Sequence, residues 1–105
     1  MLPTDPQELE QITRYMTQCY RKAKQRRKLE KMLCRESNYQ SEADDLIIAL
    51  YESALESMPN TTREIIVREF LDEDHDGWFY NYYTKSTFYR LRQKAIREFI
   101  DCMNV

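Results

Sequence analysis

Glycine is almost missing from this chain: Gly77 stands alone among 105 residues, and proline occurs only at Pro3, Pro6 and Pro59. Both residues interrupt regular structure, so their scarcity excludes a turn-rich architecture and predicts long unbroken segments in an all-α fold. No run approaches the roughly 20 apolar residues that cross a bilayer, so no membrane partner is expected. The opening "MLPTDPQELEQ" lacks a basic stretch followed by an apolar one, so it is not expected to be a signal peptide. Cysteine is sparse and odd in number, and Cys19, Cys34 and Cys102 lack metal-ligand spacing. Reduced thiols in a cytoplasmic protein fit that usage, and neither a metal nor another cofactor is expected. Catalytic patterns are missing too. His75 is the one histidine and sits in an aspartate run, there is no G-x-S-x-G motif or P-loop, and no carboxylate stands isolated on an apolar stretch. The chain is not expected to be an enzyme.

What is present is charge, 16 Lys/Arg against 18 Asp/Glu, and it is segregated. Residues 21–35, "RKAKQRRKLEKMLCR", carry eight bases against Glu30 alone. Residues 36–76 hold twelve acids against Arg63 and Arg68. From 85 to 97 the bases Lys85, Arg90, Arg92, Lys94 and Arg97 stand without an acid. A formal net charge of −2 therefore leaves room for a polyanion partner, because the local field decides.

Periodicity divides the chain. Thr4 or Asp5 caps a helix with Pro6 in its first turn. Leu9, Ile12, Met16, Cys19 and Ala23 recur in steps of three and four, and the stripe resumes out of phase at Leu29, Met32 and Leu33. One long amphipathic helix over about residues 6–35 is predicted, with a break near 26 as the alternative. It would dock on its own domain or form a dimer seam. Ser41 is the expected cap of a second helix, whose apolar face is Ile47, Leu50, Tyr51, Ala54, Leu55 and Met58. After Pro59-Asn60, the T-x-x-E pattern of Thr61 and Glu64 predicts a capping box opening a helix with Ile65, Ile66, Phe70 and Leu71. Thr84 should cap the last helix, with Phe88, Leu91, Ala95, Phe99 and Cys102 along one face. Residues 1–40 are read as a helical arm and 41–105 as a helical domain.

Between the last two helices, "LDEDHDGWFYNYY" opens like an EF-hand loop, with Asp72, Asp74 and Asp76 followed by Gly77. Counting from Asp72, however, the twelfth position is Tyr83, where calcium needs a bidentate carboxylate, and the ninth is Tyr80. An acidic, solvated turn with Gly77 at positive φ is the expectation, and weak cation binding by the three aspartates is left open.

The order of a helix, an acidic turn, the aromatic "WFYNYY" and a basic amphipathic helix suggests a helix-turn-helix over about residues 62–103. In such a unit the second helix enters the major groove. Arg90 is suited to reading guanine in bidentate fashion. Thr84, Arg92, Gln93, Lys94 and Arg97 are suited to phosphates. The basic run 21–35 has three readings: a second DNA contact, a solvated face, or a partner for the acidic middle of the same or a neighbouring subunit.

"TKSTFYRLRQKAIREF" resembles the recognition helix of sigma-factor region 4. "SMPNTTREIIVREFL…WFYNYYTKSTFYRLRQKAIREFI" resembles ArpU-like phage and prophage proteins over about residues 58–100. The sigma-like pattern implies base-facing side chains at Lys85, Ser86, Tyr89 and Arg90. The ArpU-like pattern implies a small regulator of late-gene transcription. Its expected partners are double-stranded DNA, a second copy and RNA polymerase. One departure is that Trp78, Phe79, Tyr80, Tyr82 and Tyr83 occupy the turn, where small residues are usual. Those rings read as core more than as a base-stacking platform. A non-enzymatic assembly or adaptor protein, such as a DNA-packaging subunit or a polymerase-binding factor, is the alternative.

Overall fold

The Asp5 carboxylate accepts the Gln7 amide at 3.0 Å and, with Pro6 at the first helical position, starts a helix that runs without a break. In the computed structural model, which describes residues 5–33, 39–74 and 76–103, this is α1, Pro6–Met32. It is followed by α2 (Tyr39–Glu56), α3 (Asn60–Ile66) and α4 (Lys85–Met103). A π-helical turn, Val67–Leu71, continues α3, and a 3₁₀ turn, Trp78–Asn81, precedes α4. No strand occurs among the described residues, so the all-α expectation is met. Thr4, Cys34 and His75 lie outside them, as do the last two residues of the predicted 6–35 helix.

α1 and α2 run antiparallel, since Thr17 meets Tyr51 while Arg26, further along α1, meets the earlier Asp44. Tyr20 stacks on Tyr51 at 4.2 Å, and Tyr51 meets the Phe99 ring edge-on at 5.0 Å, so α1, α2 and α4 converge on these rings. Ile65, Ile66 and Phe70 add the α3 side. Residues 6–32, read from the sequence as an arm, place Leu9 and Tyr20 in this same buried cluster. Each large side chain buried here stabilises the fold by about 1.5–3 kcal/mol relative to exposure.

Leu9 and Ala23 of the predicted stripe on α1 are buried, but the rest of the buried face is Thr13, Thr17 and Tyr20. Thr13 and Thr17 are buried, whereas Ile12, Met16 and Cys19 are only half-buried. Each threonine hydroxyl donates to the carbonyl four residues back, at 2.9 Å, and Thr17 also shares a 2.8 Å hydrogen bond with the Tyr51 hydroxyl. Their polar atoms are thus satisfied inside the core.

Two predicted caps are corrected. α3 begins at Asn60, so Thr61 falls inside the first turn and no side chain caps it. Glu64 reaches forward instead to Arg68 at 3.1 Å. Ser41 likewise sits within α2, buried, and donates to Glu30 at 2.6 Å. Arg63 closes the other end of α2, donating to the carbonyls of Leu55, Glu56 and Met58, acceptors that a helix C-terminus leaves open.

Gly77 has φ 83°, the left-handed conformation expected of it. A Cβ there would come within 2.9 Å of the Tyr80 ring. That ring is mostly exposed and can yield, so the backbone conformation sets most of the cost. Gly77→Ala should lower the stability to urea by about 1 kcal/mol, read from the unfolding midpoint by circular dichroism.

Candidate nucleic-acid interface

α4 has one buried and one open side. Phe88, Ala95, Ile96, Phe99 and Ile100 are buried. Lys85, Ser86, Tyr89, Arg90, Gln93, Lys94 and Arg97 are all exposed, so a single strip of solvent-facing side chains runs along about three and a half turns. The Thr84 hydroxyl accepts the Thr87 amide at 3.4 Å and holds the first turn. Lys94 has Glu98 at 3.9 Å, while Lys85, Arg90 and Arg97 have no carboxylate partner among the described residues. Gln93 and Arg97 border a shallow dimple shared with Pro6 and Leu9, which places the start of α1 beside the second half of the strip.

Eight of the nine residues singled out in sequence therefore share this edge of the molecule. The ninth, Arg92, does not. Its side chain is 15% exposed, and its guanidinium is bound to Glu69 at 2.8 Å and to Glu10. It also stands 5.1 Å from the centre of the Phe70 ring. Burial works against the charge, but the hydrogen bonds to Glu10 and Glu69 outweigh it and hold Arg92 above the ordinary arginine value. Arg92 is thus withdrawn from the phosphate-contact set. Four residues after the buried Phe88, Arg92 falls on the inward side of the helix, and the carboxylates awaiting it lie in distant parts of the sequence.

Ahead of α4 the aromatic segment divides by burial. Trp78 and Phe79 are buried, with Phe79 stacked on Phe88 at 3.7 Å and Trp78 edge-on to Phe88 at 5.5 Å. Tyr80 and Tyr82 are more than half exposed, and Tyr89 leans edge-on against Phe79 at 6.1 Å. The Trp78 indole donates to Glu69 at 2.9 Å, and the Arg68 guanidinium lies 4.9 Å over its ring. Among the described residues of the connection from the end of the π-helical turn to α4, 72–84, the 3₁₀ turn is the one regular element. In it Gly77 and Glu73 adopt positive φ, and Arg68 lies 3.9 Å from Asp74. Among the described residues no group of three or more His, Cys, Asp or Glu is placed to hold a metal ion.

The basic run on α1 turns largely to its own chain. Arg26 grips the buried Asp44 with two bonds, at 2.8 and 2.6 Å, and Arg27 takes Asp45 at 2.8 Å and Glu30 at 2.7 Å. Arg21 takes Glu73 at 2.9 Å and the carbonyls of Phe70 and Leu71, capping the π-helical turn. Of the three readings of this run, pairing with the acidic middle of the same subunit accounts for these three arginines. No family model, curated protein or solved structure matches the chain.

Two measurements check these contacts. Arg92→Ala leaves Glu10 and Glu69 facing each other across a half-buried gap. It should cost about 1–3 kcal/mol in urea unfolding, less than a fully buried pair because water reaches part of the site. The second is acid sensitivity. Burial would raise Glu10, but Arg92 and Arg14 hold its pKa below the ordinary 4.5, and Arg26 and Gln40 hold Asp44 below 3.8. A folded-state pKa below the unfolded one gives stability that is complete above the unfolded value and lost as pH falls through the folded one. The urea midpoint should therefore drop between about pH 5 and pH 2. In Asp44→Asn it should start lower and vary less over that interval.

Proposed function

We propose that this chain is a double-stranded DNA-binding transcription regulator of the ArpU-like phage and prophage kind, with α4 as the helix that enters the major groove. One observation carries the reading: a strip of Lys85, Ser86, Tyr89, Arg90, Gln93, Lys94 and Arg97 stands open along α4 while much of the chain's other positive charge is engaged internally. A polyanion approaching the molecule meets this strip with its cations available. Within it, Lys85, Ser86, Tyr89 and Arg90 on the first two turns are assigned to base edges. Thr84, Gln93, Lys94 and Arg97 are assigned to phosphates. In a helix-turn-helix the 3₁₀ turn would serve as the short element before α4, separated from it by residues 82–84. A second copy for a two-half-site operator and RNA polymerase complete the proposed partners.

Binding to labelled fragments from the gene's own neighbourhood, against scrambled DNA at two salt concentrations, tests the reading. Preference that survives the higher salt supports base readout. Equal binding that vanishes with salt reduces the role to phosphate attraction, and no binding favours the assembly or adaptor role. Arg90→Ala should relax sequence preference at a cost of about 1–3 kcal/mol. Lys94→Ala should weaken binding to any sequence and lower the salt slope by about 1. If both variants bind like the parent, α4 is not the reading helix.

A further inference from the structure

An uncharged surface across α1 and α2 is left unused by the fold and by the basic strip. Tyr15, Cys19, Ile47, Leu50 and Met103 line an open groove of about 160 Å³ between the two helices and the end of α4. Leu46 stands one turn before Leu50 on the same side of α2. Tyr15 is 68% exposed, Leu46 61% and Leu50 42%. Solvent-facing large apolar residues elsewhere are single tyrosines around α4 or lie at the end of α1, where Leu29, Met32 and Leu33 adjoin residues outside the description.

We infer that this face is where two copies of the chain associate. A contact between identical faces related by a two-fold axis needs a surface that does not repel itself. The strip on α4 is basic and the turn 72–76 is acidic, so each would meet its own charge. Along the outer side of α2, by contrast, Ala43, Leu46, Ala49, Leu50 and Ser53 follow one another exposed and uncharged. Of the acids on α2, Asp44 and Asp45 hold Arg26 and Arg27 and Glu52 accepts from Tyr20 at 2.8 Å, while the exposed Glu42 and Glu56 stand at the two ends of this face. Alanine and serine between the leucines let a second backbone approach closely. The bordering charges, Lys22 on α1 and Glu42 on α2, are opposite in sign.

Specific interfaces bury about 1,200 Å² or more in total, and contacts near that lower end associate weakly and reversibly. A reversible dimer with a dissociation constant on the order of micromolar is therefore expected rather than an obligate one. The face shares no residue with the basic strip of α4, and its test uses no DNA, so it stands or falls separately from the DNA reading.

Sedimentation equilibrium of the whole chain under reducing conditions, from about one to a few hundred micromolar, reads the association directly. The wild type should fit a monomer–dimer equilibrium. Leu46→Glu and Tyr15→Arg, one on each helix, should each raise the dissociation constant at least about tenfold, equivalent to about 1.4 kcal/mol. Both sites are largely exposed, so the helical circular dichroism and urea midpoint should stay near wild type. Tyr80→Glu, away from the groove, should leave association unchanged. A wild type that stays monomeric throughout, a closed oligomer larger than a dimer, or a dimer indifferent to both substitutions would each overturn the assignment.

Discussion

Glu10 of α1, Glu69 of the π-helical turn and Arg92 of α4 meet at one guanidinium, beside the ring of Phe70, and the relation of α4 to the rest of the molecule depends on that meeting. Three charges brought partly out of water are costly unless their hydrogen bonds are complete. Here Arg14 joins from the solvent side, 3.2 Å from Glu10 and also 5.1 Å from the Phe70 ring centre, so two arginines face two carboxylates and the local charge cancels. Phe70 lies within reach of both guanidiniums, which lets the apolar core end in a charged layer without an unpaired group. Because α4 is amphipathic, pinning it through Arg92 on its inward side also decides which residues remain outward. The open strip is the geometric complement of this contact.

The same economy of charge operates between α1 and α2. Read along the sequence, the chain has a basic block, an acidic block and a second basic block. In three dimensions three arginines of the first block pair with acids of the second, Arg26 with Asp44, Arg27 with Asp45 and Arg21 with Glu73. Pairs of this exposure contribute little stability individually. Asp44 is different because its carboxylate is buried and would be strongly unfavourable without Arg26 and Gln40. The strip on α4 stays outside these pairs, as do the exposed Lys22, Lys28 and Lys31 of α1, so a near-neutral molecule presents a basic edge along α4. Net charge alone conceals such an edge, because opposite blocks that pair internally subtract from the total without contributing to the external field.

Helical class and most of the α3 and α4 core were legible in sequence because periodicity reports burial well where the buried residues are apolar. Ile65, Ile66, Phe70, Phe88, Ala95 and Phe99 illustrate this. On α1 the signal held for Leu9 and Ala23 and missed the rest of the buried face for a definite reason. Thr13 and Thr17 read as polar, yet a helix supplies each hydroxyl with a carbonyl one turn back, so they enter the core. The caps at Thr61 and Ser41 failed because a local pattern does not fix where a helix starts: α3 begins one residue before Thr61, and α2 begins two before Ser41. Arg92 was out of reach for another reason. Its partners are 82 and 23 residues away in the chain, a separation no local spacing encodes. For the remaining site residues, exposure followed from helix phase alone, which is why they share one face.

Thirteen residues, 72–84, separate the π-helical turn from α4, and the contacts that tie this connection to α4 are made by rings. Phe79 and Phe88 lie parallel to within 2°, Trp78 closes their edge, and Trp78 is itself held by Glu69 and Arg68. Glu69 also binds Arg92, so one carboxylate steadies both the aromatic turn and the middle of α4. The π-helical turn makes this sharing feasible. Its amide-to-carbonyl bond from Asp72 back to Val67, 2.7 Å long, widens the helix end, and Arg21 satisfies the Phe70 and Leu71 carbonyls left open there. The start of α4 is thus tied to the packing of Trp78 and Phe79 on Phe88, and its middle to Glu69 through Arg92.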